Sequence, residues 1–171
     1  IGKGRIEEGV KDSKRFAVLV PSLAVLVSIV IISLRYQLVG IFNMGNNISE
    51  VTLQSAVIIM TIYACELPIR MIPYIQVVGI FRSGGDTVTG VKYDLSCLWL
   101  LSIPATLIAV HIIKVPFVVA YGVMYVFEDY VKAFLCLRHY RSKKWIKPVT
   151  EEGRKAFEEY KLNKIKSGDE K

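Results

Sequence analysis

Apolar residues in this chain fall in long blocks, not in the spaced stripes of soluble amphipathic helices. Residues 16–34 and 95–113 contain no Asp, Glu, Lys or Arg. Residues 51–81 carry only Glu66 and Arg70, and residues 115–137 carry only Glu128, Asp129 and Lys132. A bilayer core takes about 20 such residues in a helix. The pattern therefore predicts four spanning helices, at about 16–39, 50–82, 88–113 and 116–138. The fold class is all-α, a polytopic membrane helical bundle.

The polar punctuation agrees with these limits. Residues 42–50 (FNMGNNISE) read as a turn, with Ser49 placed to cap the second helix. Residues 82–87 (RSGGDT) make a tight turn, with Asp86 or Thr87 as the cap of the third helix. Pro21, Pro68, Pro73 and Pro104 lie inside the apolar blocks, where membrane helices tolerate them if neighbours satisfy the freed carbonyl. Three parts follow: a cytoplasmic segment 1–15, a four-helix transmembrane part 16–138, and a basic cytoplasmic tail 139–171.

Composition supports a membrane protein, at 53% hydrophobic and only 22% charged over 171 residues. The net charge of +7 raises nucleic-acid binding, but its distribution argues against it. Lys3, Arg5, Lys11, Lys14 and Arg15 precede the first block, the stretch Tyr36 to Thr52 has no base, and eleven bases follow from Arg138 on. That alternation is the positive-inside pattern with both termini cytoplasmic. In RHYRSKKWIKP (138–148) the bases surround Trp145 and Ile146, a mixture suited to the lipid headgroup boundary, and the rest of the tail reads as a solvated end. Residues 1–15 do not resemble a cleavable signal peptide, and a chain opening at Ile1 is expected to be the trailing piece of a longer polypeptide. Cys65, Cys97 and Cys136 read as small packing residues. No metal-ligand spacing, phosphate-cradling glycine loop or nucleophile motif is present, so neither an enzyme nor a cofactor is expected.

The charges inside the apolar blocks carry the chemistry. Each costs about 2.5–3.5 kcal/mol to place at a bilayer centre, so such groups turn toward a protein interior or a water-filled path. Tyr63, Glu66, Arg70 and Tyr74 share one face of the second helix, and Tyr121, Tyr125, Glu128 and Lys132 share one face of the fourth. Glu66 lies roughly 22 Å and Glu128 roughly 20 Å from the outer helix ends, and Asp94 roughly 9 Å from the inner end of the third helix. All three acids fall in the inner half of the core and are expected to share one polar chamber. Four acids (Glu66, Asp94, Glu128, Asp129) face two bases (Arg70, Lys132). At least one acid should be protonated, share a proton or attract a cation, as a proton- or sodium-coupled carrier needs. The alternative, that each E-x-x-x-R/K pair neutralises itself within its helix and only fixes packing, stays open.

Three runs carry a resemblance. GIFRSGGDT (79–87) after a proline-broken helix, FEDYVK (127–132) leading to RSKKWI (141–146), and IGKGRIEEG (1–9) are similar to segments of the multidrug and toxic compound extrusion (MATE) family of transporters. The resemblance covers about residues 1–147. It implies that the four spans correspond to the last four helices of a twelve-helix carrier built from two six-helix lobes. Such a carrier exports cationic or amphipathic organic compounds in exchange for protons or sodium ions. By motif position Glu66 and Arg70 would face the cavity of the C-terminal lobe, with Asp94, Glu128 and Lys132 in its inner polar network. Some branches place a coupling acid near Met71, and others place one in the first helix, so the coupling ion stays open. The implied partners are small organic cations or amphipaths, the bilayer and the missing N-terminal lobe. The implied location is the plasma membrane. A flippase for lipids or lipid-linked sugars and a non-transporting scaffold subunit are the alternatives.

Overall fold

A computed structural model of the chain describes residues 1–43 and 48–166, with side chains to residue 163. The centre of the expected 42–50 turn, residues 44–47, lies outside the described residues. Among those described, all regular structure is helical: α1 (Ile6–Phe42), α2 (Glu50–Gly84), α3 (Thr87–Ile112), α4 (117–141) and α5 (Glu151–Lys166).

Three of these helices, α1 to α3, are long and apolar enough to cross a membrane. The expectation of four is met only in part. Glu128, Asp129 and Lys132 fall within five residues of one another in α4 and dilute its apolar run. α1 begins ten residues earlier than its apolar block, because the polar stretch from Ile6 continues the helix before the apolar part. Phe16, Val18, Leu19, Leu23 and Leu26 on α1 are exposed, which suits a helix turned to lipid.

Ser49 caps α2 as expected, accepting a hydrogen bond from the Thr52 amide at 3.3 Å. Asp86 stands at the N-cap of α3 but makes no capping bond with its side chain. The helices are not uniform rods. Wide turns with i→i+5 bonding run over Ile75–Phe81 in α2, Leu98–Ser102 and Ile108–Ile112 in α3, and Val126–Tyr130 in α4. Pro73 and Pro104 lie beside two of them, where a missing N–H leaves a carbonyl free to find a later donor. Each wide turn adds a residue to the circuit and rotates the face that follows it.

α1 lies along α2, and α2, α3 and α4 pack against one another. The best-sealed apolar core sits at one end of this arrangement. Ile6, Ile80, Phe81, Cys136, Trp145 and Ile146 form it, drawn from the start of α1, the end of α2, the end of α4 and the strap after it. Trp145 and Ile146 are 1% and 3% exposed, so they sit inside the protein and not at a lipid boundary. Burying large side chains of this kind is worth about 1.5–3 kcal/mol each. The tail is likewise packed: α5 lays Ala156, Phe157 and Tyr160 against this core, and Thr150 Oγ1 donates to the Gly2 carbonyl at 2.7 Å. The chain start, the α2–α3 turn and the tail therefore share one end of the bundle.

Glycine makes that end possible. A Cβ at Gly84 would collide with the Trp145 carbonyl, and one at Gly85 with the Lys147 carbonyl. Gly85 also has φ +91°, and the Lys147 amide donates to the Gly84 carbonyl at 2.7 Å.

Candidate functional site

Four charged side chains converge between α3 and α4. Lys132 Nζ lies 3.3 Å from Asp94 Oδ1, 3.3 Å from Glu128 Oε1 and 3.8 Å from Asp129 Oδ1. The Glu128 contact is the expected i,i+4 pair. The wide turn at Val126–Tyr130 turns Asp129 inward beside it, leaving that carboxylate 1% exposed. Among the described residues, neither Asp129 oxygen has a hydrogen-bond partner. Three carboxylates thus face one ammonium, an excess of two negative charges if all ionise. Such an arrangement invites a proton or a second cation.

Arg70, Tyr74, Asp94, Glu128 and Lys132 line one pocket of about 300 Å³, walled by Val77, Val78, Leu95 and Leu98. Five of the residues singled out in the sequence therefore meet in one space. Glu66 and Tyr63 lie outside its lining.

The α2 pair behaves differently from the α4 pair. Glu66 does not pair with Arg70; its Oε1 accepts a hydrogen bond from Tyr130 Oη at 3.2 Å, and its Oε2 is buried without a partner among the described residues. The Arg70 guanidinium sits over the Tyr125 ring at 5.0 Å, and Tyr125 in turn accepts from Tyr121 Oη at 3.3 Å. Tyr63 is within electrostatic reach of Arg70 and Tyr121. So the aromatic-and-charge stripes of α2 and α4 face each other, joined side chain to side chain across the two helices.

Sequence reasoning passed over three features. Tyr130 lies off the Glu128 face at a 3.6-residue period, and only the wide turn brings it to Glu66. Arg35 ends the first apolar block; its Nη1 donates to the Ile32 carbonyl at 3.3 Å and its guanidinium covers the Tyr36 ring at 4.8 Å. The third feature is a charge cluster at the sealed end. Asp86, 2% exposed, accepts from Thr89 Oγ1 and Lys147 Nζ at 2.7 Å each and lies 2.7 Å from His139 Nε2. Burial pushes the Asp86 carboxyl up, but the bonds from Lys147, Thr89 and His139 outweigh it and hold the group below its usual value. No local spacing could have announced a cluster drawn from residues 53 and 61 positions away.

Among the described residues, no group of three or more His, Cys, Asp or Glu is arranged to hold a metal ion. Cys97 and Cys136 are buried and Cys65 is exposed, all three as free thiols. No protein-family model matches the chain, and no curated protein or solved structure matches it.

Proposed function

We propose that the chain is part of a secondary active antiporter that exports cationic or amphipathic organic compounds in exchange for protons or sodium ions. The observation that carries this reading is the gathering of Asp94, Glu128 and Asp129 on Lys132 at the edge of a pocket that Arg70 and Tyr74 also line. Excess buried carboxylate attracts a cation, and aromatic rings beside it suit an organic one. Loading the acids with protons or sodium removes that attraction and releases the cargo on the far side. Lys132 already stands where a bound metal cation would, which favours protonation of Asp129 as the coupling event. α4 completes the membrane crossing, its charged turn facing α2 and α3 and not lipid. The protein then belongs to the plasma membrane with both termini cytoplasmic, and its partners are the bilayer and a preceding lobe of the same transporter.

The test is efflux of a fluorescent organic cation from vesicles carrying the polypeptide that contains this segment, under an imposed proton or sodium gradient. Gradient-driven efflux that Glu66→Gln or Asp129→Asn abolishes, at unchanged protein level, supports the reading. Efflux untouched by both substitutions, or none in the unsubstituted protein, would return these residues to a packing role.

A further inference from the structure

α1 and α2 run side by side, and a groove opens between them at the end opposite the sealed core. Its volume is about 530 Å³, within the roughly 300–1,000 Å³ of small-molecule sites. Gly40 keeps it open: no heavy atom lies within 4 Å of where its Cβ would stand, so α1 leaves a notch at that point. Leu53, Val57 and Ile58 of α2 form an apolar wall, and Glu50 and Gln54 stand toward one end of it. From Glu50 to Ile58 is about 12 Å along the helix. A ligand can reach these groups. Ile58 is 49% exposed, Glu50 and Gln54 are exposed, and Leu53 and Val57 are half-buried.

The charge in the groove is one-sided. Its lining holds one carboxylate, Glu50, and no Lys, Arg or His. Among the described residues, no base lies within 4.0 Å of that carboxylate. The base beside the groove, Arg35, is engaged with its own helix. Its Nη1 donates to the Ile32 carbonyl at 3.3 Å, and its guanidinium covers the Tyr36 ring. Arg35 also stands about two turns, roughly 12 Å, along α1 from Asn43, which lines the Glu50 end. A cation in the groove therefore meets attraction at one end and repulsion at the other, which fixes how it lies.

One carboxylate above an apolar wall selects one ligand chemistry, a monovalent organic cation with an apolar body. We propose that this groove binds such a cation. Its ammonium sits at Glu50, the Gln54 side-chain carbonyl accepts a hydrogen bond from it, and its hydrocarbon lies along Leu53, Val57 and Ile58. A carboxylate at the mouth of a low-dielectric groove is screened less than one in open water, so a single charge is enough to favour the cation over a neutral counterpart. The groove shares no residue with the pocket beside the acid cluster, so on the exporter reading it is a second station for the cargo. The word cargo rests on that reading; the binding itself needs no ion gradient.

The test is photolabelling of the polypeptide that contains this segment, in lipid nanodiscs without a gradient. The probes are 4-benzoylbenzylammonium and its uncharged N-acetyl derivative, with labelled residues mapped by peptide mass spectrometry. The expected result is saturable labelling by the cation on Tyr36–Asn43 and Glu50–Ile58, and none that saturates with the acetylated form. Glu50→Gln should raise the half-saturating concentration about fivefold. Gly40→Leu should abolish the labelling by filling the notch, and the empty space around Gly40 lets the helix accept it. Asp129→Asn should leave the labelling unchanged. Equal labelling by both probes would assign the groove to lipid chains and overturn the proposal, as would labelling that Gly40→Leu or Glu50→Gln leaves untouched. Labelling kept where gradient-driven efflux is absent counts against the exporter reading alone; efflux with no labelling counts against this site alone.

Discussion

His139 Nε2 lies 2.7 Å from Asp86 Oδ2, and that contact joins the turn between α2 and α3 to the end of α4. Phe81 and Tyr93 hold the imidazole edge-on, with ring centroids at 4.9 and 5.9 Å, so its orientation is fixed by packing on two sides. Lys147 reaches the other Asp86 oxygen at 2.7 Å from the strap. One buried carboxylate thus ties three chain segments together.

Asp86→Asn should loosen the strap. Charge-assisted hydrogen bonds are worth about 1.5–3 kcal/mol each in sheltered settings, and Lys147 is 54% exposed, so a total loss of about 2 kcal/mol is expected. Thermal unfolding in detergent measures it. An unchanged Tm would mean that the apolar core alone holds the strap.

The same carboxylate sets a pH dependence. Its folded value is depressed, so its contribution is fully present above the unfolded value near 4 and is lost as pH falls through the lower folded value. Hydrogen exchange at the Lys147 amide, corrected for intrinsic rates, should show protection at neutral pH that collapses in acid. Asp86→Asn should show the weaker protection already at neutral pH and little further change.

Gly85→Ala should damage the same end through the backbone. A left-handed φ of +91° and a Cβ directed at the Lys147 carbonyl leave no room for a side chain. A cost of at least about 1–2 kcal/mol is expected, with Trp145 emission shifting to the red as the strap lifts. Unshifted emission at normal stability would show that the turn can rearrange.

Lys132→Met should be among the most damaging changes in the bundle, because it strands three carboxylates together. Removing one partner of a buried ion pair costs about 3–5 kcal/mol; with Asp94 46% exposed, about 2–4 kcal/mol is expected here. Adding Asp129→Asn and Glu128→Gln should recover most of the loss. A triple variant no better than Lys132→Met, by fluorescence-detected size exclusion in detergent, would show that the charges are not coupled.

Tyr130→Phe should release Glu66 from its hydrogen bond to Tyr130 Oη. The stability change is small, about 1 kcal/mol or less, since Tyr130 is 45% exposed. A double cycle with Glu66→Gln should show that the two effects do not add. Strict additivity would mean that the bond contributes nothing.

The amino-acid pattern alone determined the helical class and the helix limits to within a few residues over α2 to α4, and it singled out Glu128, Asp129 and Lys132, which the fold shelters, but neither the burial of Asp86 nor the 46% exposure of Asp94. Length, apolar blocks and glycine or proline punctuation are local properties, and a helix is a local structure. The pairing of those charges is not local. A strict 3.6-residue period set Glu66 beside Arg70, whereas the folded chain gives Glu66 to Tyr130 and Arg70 to Tyr125. Wide helical turns rotate each face by a residue, and their effect is felt only where another helix packs. Trp145 and Ile146 read as a headgroup-boundary pair for the same reason: they find their apolar partners at Ile6, Ile80 and Phe81, far away in the chain. Burial of a short basic segment is decided by what folds over it, and only the tertiary structure supplies that.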